Sequence, residues 1–221
     1  MKKTLIIIPA FNCAPQLGPL IRKIRQHTDC AVLVVDDGST DNTPALLRDA
    51  GVELLSHTEN RGKGAALSSG FTRAFENGYE FVVTMDGDGQ HDPSDLPGFF
   101  QYDADVVLGA RSFKRGVMPL ARIFSNTLTS FILSMATGKK IRDSQCGYRK
   151  IRLALVRSFR PRLSGFQYET ELLLHILKRK RGSVINVPVL TIYSGGKSYI
   201  RHFRDTLQFI AVVWRYLWIS E

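Results

Sequence analysis

Uninterrupted apolar runs alternate with helical patterns through the first half of the chain. Five runs are rich in β-branched residues and show no polar alternation, and these predict buried strands at 4–10, 31–37, 52–56, 80–86 and 104–111. Between them, residues 15–27 have apolar positions at helical spacing, and the stretch after Gly62 predicts a helix that stops near Gly78. Strands that are apolar on both faces and separated by helices indicate an α/β fold with a mostly parallel sheet flanked by helices.

The pattern changes after residue 111. Helical spacing predicts helices over 119–136, 167–180 and 200–218, while 185–193 reads as an extended segment. No internal repeat or low-complexity linker divides the sequence, and 221 residues suit one domain with a sizeable core.

The charge is unevenly distributed. The chain has a net charge of +10, but residues 1–110 carry nine basic and 15 acidic side chains, whereas residues 111–221 carry 21 basic and five acidic ones. An acidic half suits a metal ion, and a basic half suits phosphate groups or an anionic membrane.

The cysteines and the amino terminus indicate the compartment. The number of cysteines is odd and no CxxC pair occurs, which is typical of reduced thiols in the cytoplasm. The short apolar run LIII ends at Pro9, so no signal peptide is predicted, and no window reaches the ~18 apolar residues of a membrane span. We therefore expect a soluble or peripheral protein.

Charged side chains follow three of the predicted strands. Asp36 and Asp37 end the second strand, Asp86 and Asp88 follow the fourth, and Arg111 ends the fifth. The carboxyl ends of parallel strands share one edge of a sheet, where ligands bind, so these side chains are expected to converge.

The segment DGDGQHD (86–92) offers hard oxygen donors of the kind that Mg²⁺ or Mn²⁺ prefers. Its glycines, Gly87 among them, let a diphosphate approach the backbone. An EF-hand is excluded because His91 stands at the sixth position and Pro97 at the twelfth. Taken singly, this motif and DDGSTD are also typical of solvated turns.

The segment GKGAALSSG (62–70) is a weak dinucleotide fingerprint, because Leu67 stands where the third glycine belongs. A glycine-rich helix entry that places Lys63 near a phosphate is the better interpretation.

Six motifs occur in an order that resembles family 2 glycosyltransferases with a GT-A fold: PAFN, DDGSTD, NRGKGAAL, DGDGQHDP, GAR and DSQCGYRK. The subgroup that they resemble most is the dolichol-phosphate mannosyltransferase-like enzymes, which glycosylate polyprenyl phosphates. The resemblance covers roughly residues 4–200. It implies a GT-A domain over 1–200, with a nucleotide- and metal-binding half at 1–111 and an acceptor-side half at 112–200, followed by a C-terminal amphipathic helix over 200–221.

The resemblance also implies residue roles. The nucleotide sugar would be held by Pro9, Phe11, Asp36, Asp37, Asp86, Asp88 and Lys197, with Lys63 and Gly87 added from the patterns above. The metal would be held by Asp86, Asp88 and Gln90, and Arg111 would contact phosphate. The chain departs from the family at Cys13, where glutamate is frequent, and at Ser194, where arginine is frequent.

These assignments imply an inverting, metal-dependent transfer of a sugar from a UDP- or GDP-sugar to a polyprenyl phosphate. A metal ion and Arg111 would stabilise the leaving diphosphate. A lipid phosphate is already ionised and needs no general base. The alternative acceptor, a hydroxyl of a cell-envelope or lipid-linked glycan, needs one, and Asp143 is preferred for that role over Glu169 and Glu171.

The last predicted helix favours an anionic membrane surface as a partner, because it combines an arginine seam with Trp214 and Trp218. Packing of this helix against the core is the alternative, and the segment 119–136 allows the same two interpretations. If the helix binds a membrane surface, the protein is expected to lie peripherally on the inner face of the cytoplasmic membrane.

Three other classes are less favoured. Nucleotidyl transfer would need a glycine-rich basic loop after the first strand, and the chain has none there. Nucleic-acid binding would need an aromatic platform among the basic residues, which the sequence also lacks, so no nucleic-acid partner is expected. A catalytically dead sugar-nucleotide sensor is disfavoured because Asp86, Asp88 and Gln90 are all present.

Overall fold

The described part of the chain forms one seven-stranded sheet with helices on both faces. The structure is a computed structural model that describes residues 2–48, 50–112, 120–163, 165, 167–192, 209 and 211–216. The strands are β1 (Thr4–Ala10), β2 (Ala31–Asp36), β3 (Glu53–Ser56), β4 (Phe81–Thr84), β5 (Val106–Arg111), β6 (Arg149–Arg152) and β7 (Val184–Val189). The helices are α1 (Ala14–His27), α2 (Thr43–Leu47), α3 (Lys63–Glu76), α4 (Leu96–Phe100), α5 (Leu120–Thr137) and α6 (Gln167–Leu174).

The sheet order is β3-β2-β1-β4-β6-β5-β7. All neighbours pair in parallel except β6, which lies antiparallel between β4 and β5. The carboxyl ends of β1, β2, β4 and β5 therefore meet at one edge, which we call the carboxyl edge. The predicted mostly parallel α/β fold is confirmed.

Strand β1 separates two apolar cores because successive side chains point to opposite faces of a sheet. Leu5 and Ile7 pack with α3, α5 and α6, whereas Ile6 and Ile8 pack with α1, α2 and α4. All four side chains are fully buried, and burial of each contributes roughly 1.5–3 kcal/mol relative to exposure. The absence of alternation in the sequence thus reflects a sheet covered on both sides.

The five predicted strands all form, but β6 was not predicted, because its sequence RKIR contains one apolar residue. Arg149 and Lys150 are nevertheless buried. Lys150 donates from Nζ to the carbonyl of Tyr102 at 2.8 Å and lies over the ring of Phe81. These partners come from distant segments, so the sequence pattern does not reveal the strand. The short helix α4 was also missed.

The predicted helix over 167–180 begins as α6 and continues as a π-helical turn, His175–Arg179. The predicted helix over 200–218 lies mostly outside the described residues. Phe209, Val212 and Val213 belong to the core shared with α3, α5 and α6, so this part packs inward. Within the ranges described, no helix is both long and apolar enough to span a bilayer.

Candidate active site

The loop after β4 places the Asp86 carboxylate between the ammonium group of Lys63 and the imidazole ring of His91. Asp86 Oδ1 lies 2.7 Å from Lys63 Nζ, and Asp86 Oδ2 lies 3.4 Å from His91 Nε2. Burial would raise the pKa of Asp86, but Lys63 and His91 more than offset it and hold the pKa well below its usual range. Asp86 is therefore a fixed anion.

Lys63 is the first residue of α3 and links this loop to α6. Its Nζ also lies 2.9 Å from Glu169 Oε2, and Glu169 Oε1 lies 3.4 Å from Arg149 Nη1. Burial would lower the pKa of Lys63, but the two carboxylates raise it above its usual range. A chain of alternating charges thus runs from Asp86 through Lys63 and Glu169 to Arg149.

Asp88 differs from Asp86 in having no cation in direct contact among the described ion pairs. Asp88 is exposed, and its Oδ1 accepts a hydrogen bond from the backbone N–H of Gln90 at 3.0 Å. Desolvation by neighbouring protein atoms, and then the charge of Asp86, raise the pKa of Asp88. An added cation would relieve this repulsion.

The segment after β7 is attached to the same loop. The backbone N–H of Ile192 donates to the carbonyl of Gln90 at 3.0 Å, and Thr191 forms a β-bridge with His91. His91 Nδ1, Tyr148 Oη and Thr191 Oγ1 are buried and have no hydrogen-bond partner among the residues that the structure describes. The segment after β7 therefore attaches to the loop that contains Asp86 and Asp88. The predicted contact residue Lys197 follows this segment in sequence and lies outside the described residues.

Gly147 makes close contact with Asp86 from the segment before β6. A Cβ atom at this position would lie 2.5 Å from Asp86 Oδ2, and the carbonyl of Gly147 accepts a hydrogen bond from Thr84 Oγ1 at 2.7 Å. Only glycine leaves room for the carboxylate as it is placed. Gly87 is similarly confined by the Pro9 carbonyl and Cys13 Sγ.

Asp37, at the end of β2, is enclosed by donors. Its Oδ1 lies 2.6 Å from His57 Nδ1 and accepts from Arg61 N, and its Oδ2 accepts from Gly62 N at 2.7 Å. These contacts hold the residues that start α3, so Asp37 positions Lys63 indirectly.

Pro9, Phe11 and Asp36 lie at the same edge. Pro9 pairs with Val35 in the sheet, and Asp36 is buried and accepts from Ser39 N. Phe11 is 43% exposed beside Asn12, which has a positive φ of 50° and holds the 39–41 turn through its side-chain oxygen. Phe11 is thus an aromatic face open to a ligand.

Arg111 and Asp143 form a buried pair at the end of β5. Arg111 donates to Asp143 from Nε at 2.7 Å and from Nη2 at 3.0 Å, and Asn126 Nδ2 donates to Asp143 at 2.7 Å. Burial would raise the pKa of the Asp143 carboxyl, but Arg111 and Asn126 more than offset it and lower the pKa. Asp143 is fully buried, which does not favour its predicted acceptor-side role.

The donor set at Asp86 and Asp88 fits a hard divalent cation. Mg²⁺ is usually held by one or two carboxylates together with substrate phosphates, rather than by a complete protein cage. In the part of the chain that the structure describes, no three His, Cys, Asp or Glu side chains form such a cage. Asp88, with Gln90 beside it, supplies oxygen donors near the carboxylate of Asp86.

Several residues of this site were not predicted as such, notably Gly147, His91, Arg149 and Asn126. Three of them lie in or beside motifs that the sequence displays, DGDGQHDP and DSQCGYRK. Their roles depend on contacts between β4, α6 and the segment before β6, which motif spacing alone does not specify.

A mostly parallel α/β protein with charged loops at its carboxyl edge belongs to the class that binds its ligands at that edge. The family described as glycosyl transferase family 2 matches residues 5–157. The chain belongs to this family and is a glycosyltransferase.

Two relatives show the subgroup. The chain is 30% identical to the UDP-N-acetylglucosamine–dolichyl-phosphate N-acetylglucosaminyltransferase of Methanococcus voltae, over 87% of each chain. It is 32% identical to the undecaprenyl-phosphate mannosyltransferase of Micrococcus luteus, over 71% of this chain and 69% of the relative. The predicted resemblance to polyprenyl-phosphate glycosyltransferases is confirmed.

Solved structures share the fold. Glucosyl-3-phosphoglycerate synthase from Mycobacterium tuberculosis, in complex with Mn²⁺, UDP and phosphoglyceric acid, superimposes with a TM-score of 0.77. The match covers 100% of this chain and 80% of that one at 19% identity. The expected GT-A fold is confirmed.

Proposed function

We propose that this glycosyltransferase moves a sugar from a nucleoside-diphosphate sugar to a polyprenyl phosphate, with inversion and with Mg²⁺ or Mn²⁺. We prefer a phosphate acceptor because all three carboxylates considered as general bases already have partners within the protein. Asp143 pairs with Arg111, Glu169 lies between Lys63 and Arg149, and Glu171 accepts from the backbone N–H of Arg162 at 2.8 Å.

A carboxylate whose oxygens already accept from cations or backbone donors is poorly placed to act as a base for a hydroxyl group, because those donors occupy the lone pairs that would accept the proton. A lipid phosphate needs no base, because its oxygen is anionic near neutral pH. The pairing of these three carboxylates therefore supports a phosphate acceptor over a glycan hydroxyl.

The placement of the site residues supports the roles that we propose for them. A bound divalent ion would neutralise charge on the leaving diphosphate, with Asp88 and Gln90 as its protein donors. Asp86, fixed by Lys63, would orient the sugar or the bound ion. Arg111, held in place by Asp143, would donate to a phosphate oxygen.

The nucleotide would lie at the ends of β1 and β2. Phe11 offers its exposed ring to the base, and Pro9 and Asp36 shape the wall beside it. Asp37 acts by holding the start of α3, and Lys197 remains a proposed donor contact. Crystals of the mycobacterial synthase with UDP and either Mn²⁺ or Mg²⁺ support the same kind of donor here.

The second part of the proposal places the enzyme peripherally on the inner face of the cytoplasmic membrane. Helix α5 exposes four apolar side chains at spacings of four, three and four residues, which puts them on one face: Phe124, Leu128, Phe131 and Met135. Phe124 and Met135 are each 71% exposed. Basic residues at Lys139, Lys140 and Arg142 follow the helix. This combination suits an anionic lipid surface.

The deciding experiment measures transfer of radiolabel from UDP- and GDP-sugars to undecaprenyl phosphate, with Mn²⁺ or with EDTA. Undecaprenol, which has a hydroxyl in place of the phosphate, is the matched control acceptor. We expect organic-extractable label with the phosphate only, and its loss in EDTA. Equal labelling of undecaprenol, or label only in a glycan, would overturn the phosphate acceptor.

Membrane placement is tested separately with vesicles of phosphatidylglycerol and phosphatidylcholine. The variant F131S/M135S should lose cosedimentation because it removes two exposed apolar side chains of α5. Tyr102→Ser is the control, since Tyr102 is also exposed but precedes β5 at the opposite edge of the sheet. Unchanged binding by F131S/M135S would contradict a membrane role for α5.

A further inference from the structure

Three buried polar atoms beside the Asp86 loop have no hydrogen-bond partner among the residues that the structure describes. They are His91 Nδ1, Tyr148 Oη and Thr191 Oγ1. His91 and Tyr148 are 4% and 0% exposed, so bulk solvent does not reach their side chains. A buried polar group without a partner is costly, and most such groups in folded proteins bond to protein atoms or to an ordered water molecule.

The three atoms come from separate segments that meet at the ring of His91. The ring centroids of His91 and Tyr148 are 5.2 Å apart, and Thr191 forms a β-bridge with His91. Next to Thr191, the backbone N–H of Leu190 donates to Asp95 Oδ2 at 2.8 Å. Burial, and then the charge of Asp95, raise the pKa of the Tyr148 hydroxyl, so this carboxylate lies near that hydroxyl. Polar groups thus gather on the side of His91 that faces away from Asp86.

A water molecule fits the hydrogen-bonding chemistry of this cluster. Water and the hydroxyls of Tyr148 and Thr191 can each donate and accept, so they satisfy His91 Nδ1 whether or not it carries a proton. A buried water typically makes about three hydrogen bonds to polar groups that lack other partners. Three such atoms are present here.

The other nitrogen of His91 faces the proposed donor site. His91 Nε2 lies 3.4 Å from Asp86 Oδ2, while Lys63 holds the opposite oxygen, Oδ1, at 2.7 Å. An ionised carboxylate only accepts hydrogen bonds, so Nε2 carries a proton in this contact, and the orientation of the ring determines where that proton points. A group that fixes the ring from behind therefore fixes one of the two contacts that orient Asp86.

A histidine that only fills space beside Tyr148 is the simpler explanation. Packing against an aromatic ring needs no imidazole nitrogen, however, and Phe99 packs on Tyr148 with its ring centroid 4.3 Å away. A phenylalanine in place of His91 would avoid the cost of a buried polar atom. The contact of Nε2 with Asp86 and the burial of Nδ1 among hydroxyls favour a role for both nitrogens.

We infer that an internal water molecule joins His91 Nδ1 to the hydroxyls of Tyr148 and Thr191, and that His91 is thereby a positioning residue for Asp86. This inference rests on the proposed function, in which Asp86 orients the sugar or the bound ion. Because Thr191 follows β7, the water also ties that segment to the loop of Asp86.

A high-resolution crystal structure of the full chain tests the water directly. We expect a density peak within hydrogen-bond distance of His91 Nδ1, Tyr148 Oη and Thr191 Oγ1. A direct hydrogen bond from either hydroxyl to Nδ1, or no density between the three atoms, would overturn the inference.

The melting temperature of Tyr148→Phe tests the same water in solution, because the two cases predict opposite signs. If a water bonds Oη, loss of the hydroxyl should lower the melting temperature by about 2–4 °C. If Oη has no partner, its removal should raise the melting temperature, and that result would contradict the water. Tyr102→Phe is the control, since Tyr102 is 40% exposed, and it should leave the melting temperature unchanged.

The positioning role is tested with His91→Gln and His91→Phe. A glutamine amide can reach the place of Nε2 and donate to Asp86, whereas phenylalanine keeps a ring against Tyr148 but has no donor. We expect His91→Phe to lower kcat for sugar transfer by about 10²-fold and His91→Gln by less than about tenfold. The KM for the nucleotide sugar should change less than kcat. A role in packing alone would reverse the order of the two variants.

Crystal structures of these two variants separate the inference from the proposed function. We expect Asp86 to keep its place beside Lys63 in His91→Gln and to shift in His91→Phe. An unmoved Asp86 carboxylate in His91→Phe would overturn the positioning role whatever the activity. These structures decide the inference even if the wild type transfers no sugar to a polyprenyl phosphate, a result that would reject the proposed function alone.

Discussion

The carboxylates around the carboxyl edge fall into two groups that contrast in their surroundings. Asp37 and Asp143 have 5% and 0% of their side chains exposed and accept several hydrogen bonds each. The Asp86 side chain is 29% exposed, and Asp88 is exposed with a raised pKa. In sequence, all four are aspartates in polar segments at or near strand ends.

The difference shows that a carboxylate at a strand end can either hold other residues in place or face a ligand. Asp37 and Asp143 hold other residues, the start of α3 and Arg111 respectively, so their substitution should cost stability. Asp86 and Asp88 hold charge where a ligand can reach it, so their substitution should cost activity. Each prediction below tests one side of this division.

The largest effect is expected for Asp88→Asn. Loss of a proposed metal donor should lower sugar transfer by about 10³-fold, or about 4 kcal/mol in the activation barrier. The free energy of unfolding without metal should be unchanged or slightly higher, because the fold disfavours the charge of Asp88. Transfer assays and thermal unfolding measure the two quantities.

Asp92→Asn is the control for that variant. Asp92 lies in the same loop, where it pairs with Lys23 at 2.7 Å and accepts from Ser94 N. Its activity should stay near wild type. Wild-type turnover by Asp88→Asn would remove Asp88 from the metal site.

Asp143→Ala should show the opposite behaviour. Removal of one partner of a buried pair leaves Arg111 without its carboxylate and costs about 3–5 kcal/mol of unfolding free energy. Chemical denaturation measures it, and exposed Asp29→Ala should change it by less than about 0.5 kcal/mol. Loss of activity with full stability would instead assign Asp143 a catalytic role.

Gly147→Ala tests the positioning of Asp86. The added Cβ would lie 2.5 Å from Asp86 Oδ2, so the carboxylate must move. A displacement of about 1 Å in such a site can cost about 10²-fold in rate. Gly18→Ala, which meets only ordinary contacts in α1, is the control. Equal transfer rates in both variants would show that the placement of Asp86 is not critical.

Asp37→Asn should lower the free energy of unfolding by about 1–3 kcal/mol. The substitution replaces one carboxylate oxygen by an amide NH₂ group, which cannot accept the hydrogen bonds that Asp37 receives from His57, Arg61 and Gly62. Denaturation at neutral pH measures this. If Asp37 instead binds the nucleotide directly, the Michaelis constant for the donor would rise while stability stays constant.

The smallest effect concerns pH. The pKa of Asp143 is lowered by folding, so its contribution to stability is present above its unfolded pKa of about 4 and is lost as pH falls through its folded pKa. The stability difference between wild type and Asp143→Asn should therefore shrink in acid, by about 1.4 kcal/mol per pH unit. A constant difference from pH 7 to pH 3 would contradict this.

Much of the fold was predictable because it depends on local pattern. The apolar runs identified β1 to β5, and the helical spacing identified α1, α3 and α5 to within a few residues. The position of the site in the fold was predictable, since Asp86, Asp88 and Arg111 all lie at or just after the ends of strands whose carboxyl ends meet. The basic strand β6 was not predictable, because its burial depends on Tyr102 and Phe81 in other elements.

The sequence by itself determined the doubly covered sheet, the edge at which the charged loops gather, and the family. Only the tertiary structure decided which aspartates stay accessible, because the sequence does not state which donors surround a carboxylate. Asp37 contacts His57, which is 20 residues away in sequence, and Asp143 contacts Arg111, which is 32 residues away. Contacts over such separations form only when the strands have paired, and they determine whether a charge holds the fold or faces a ligand.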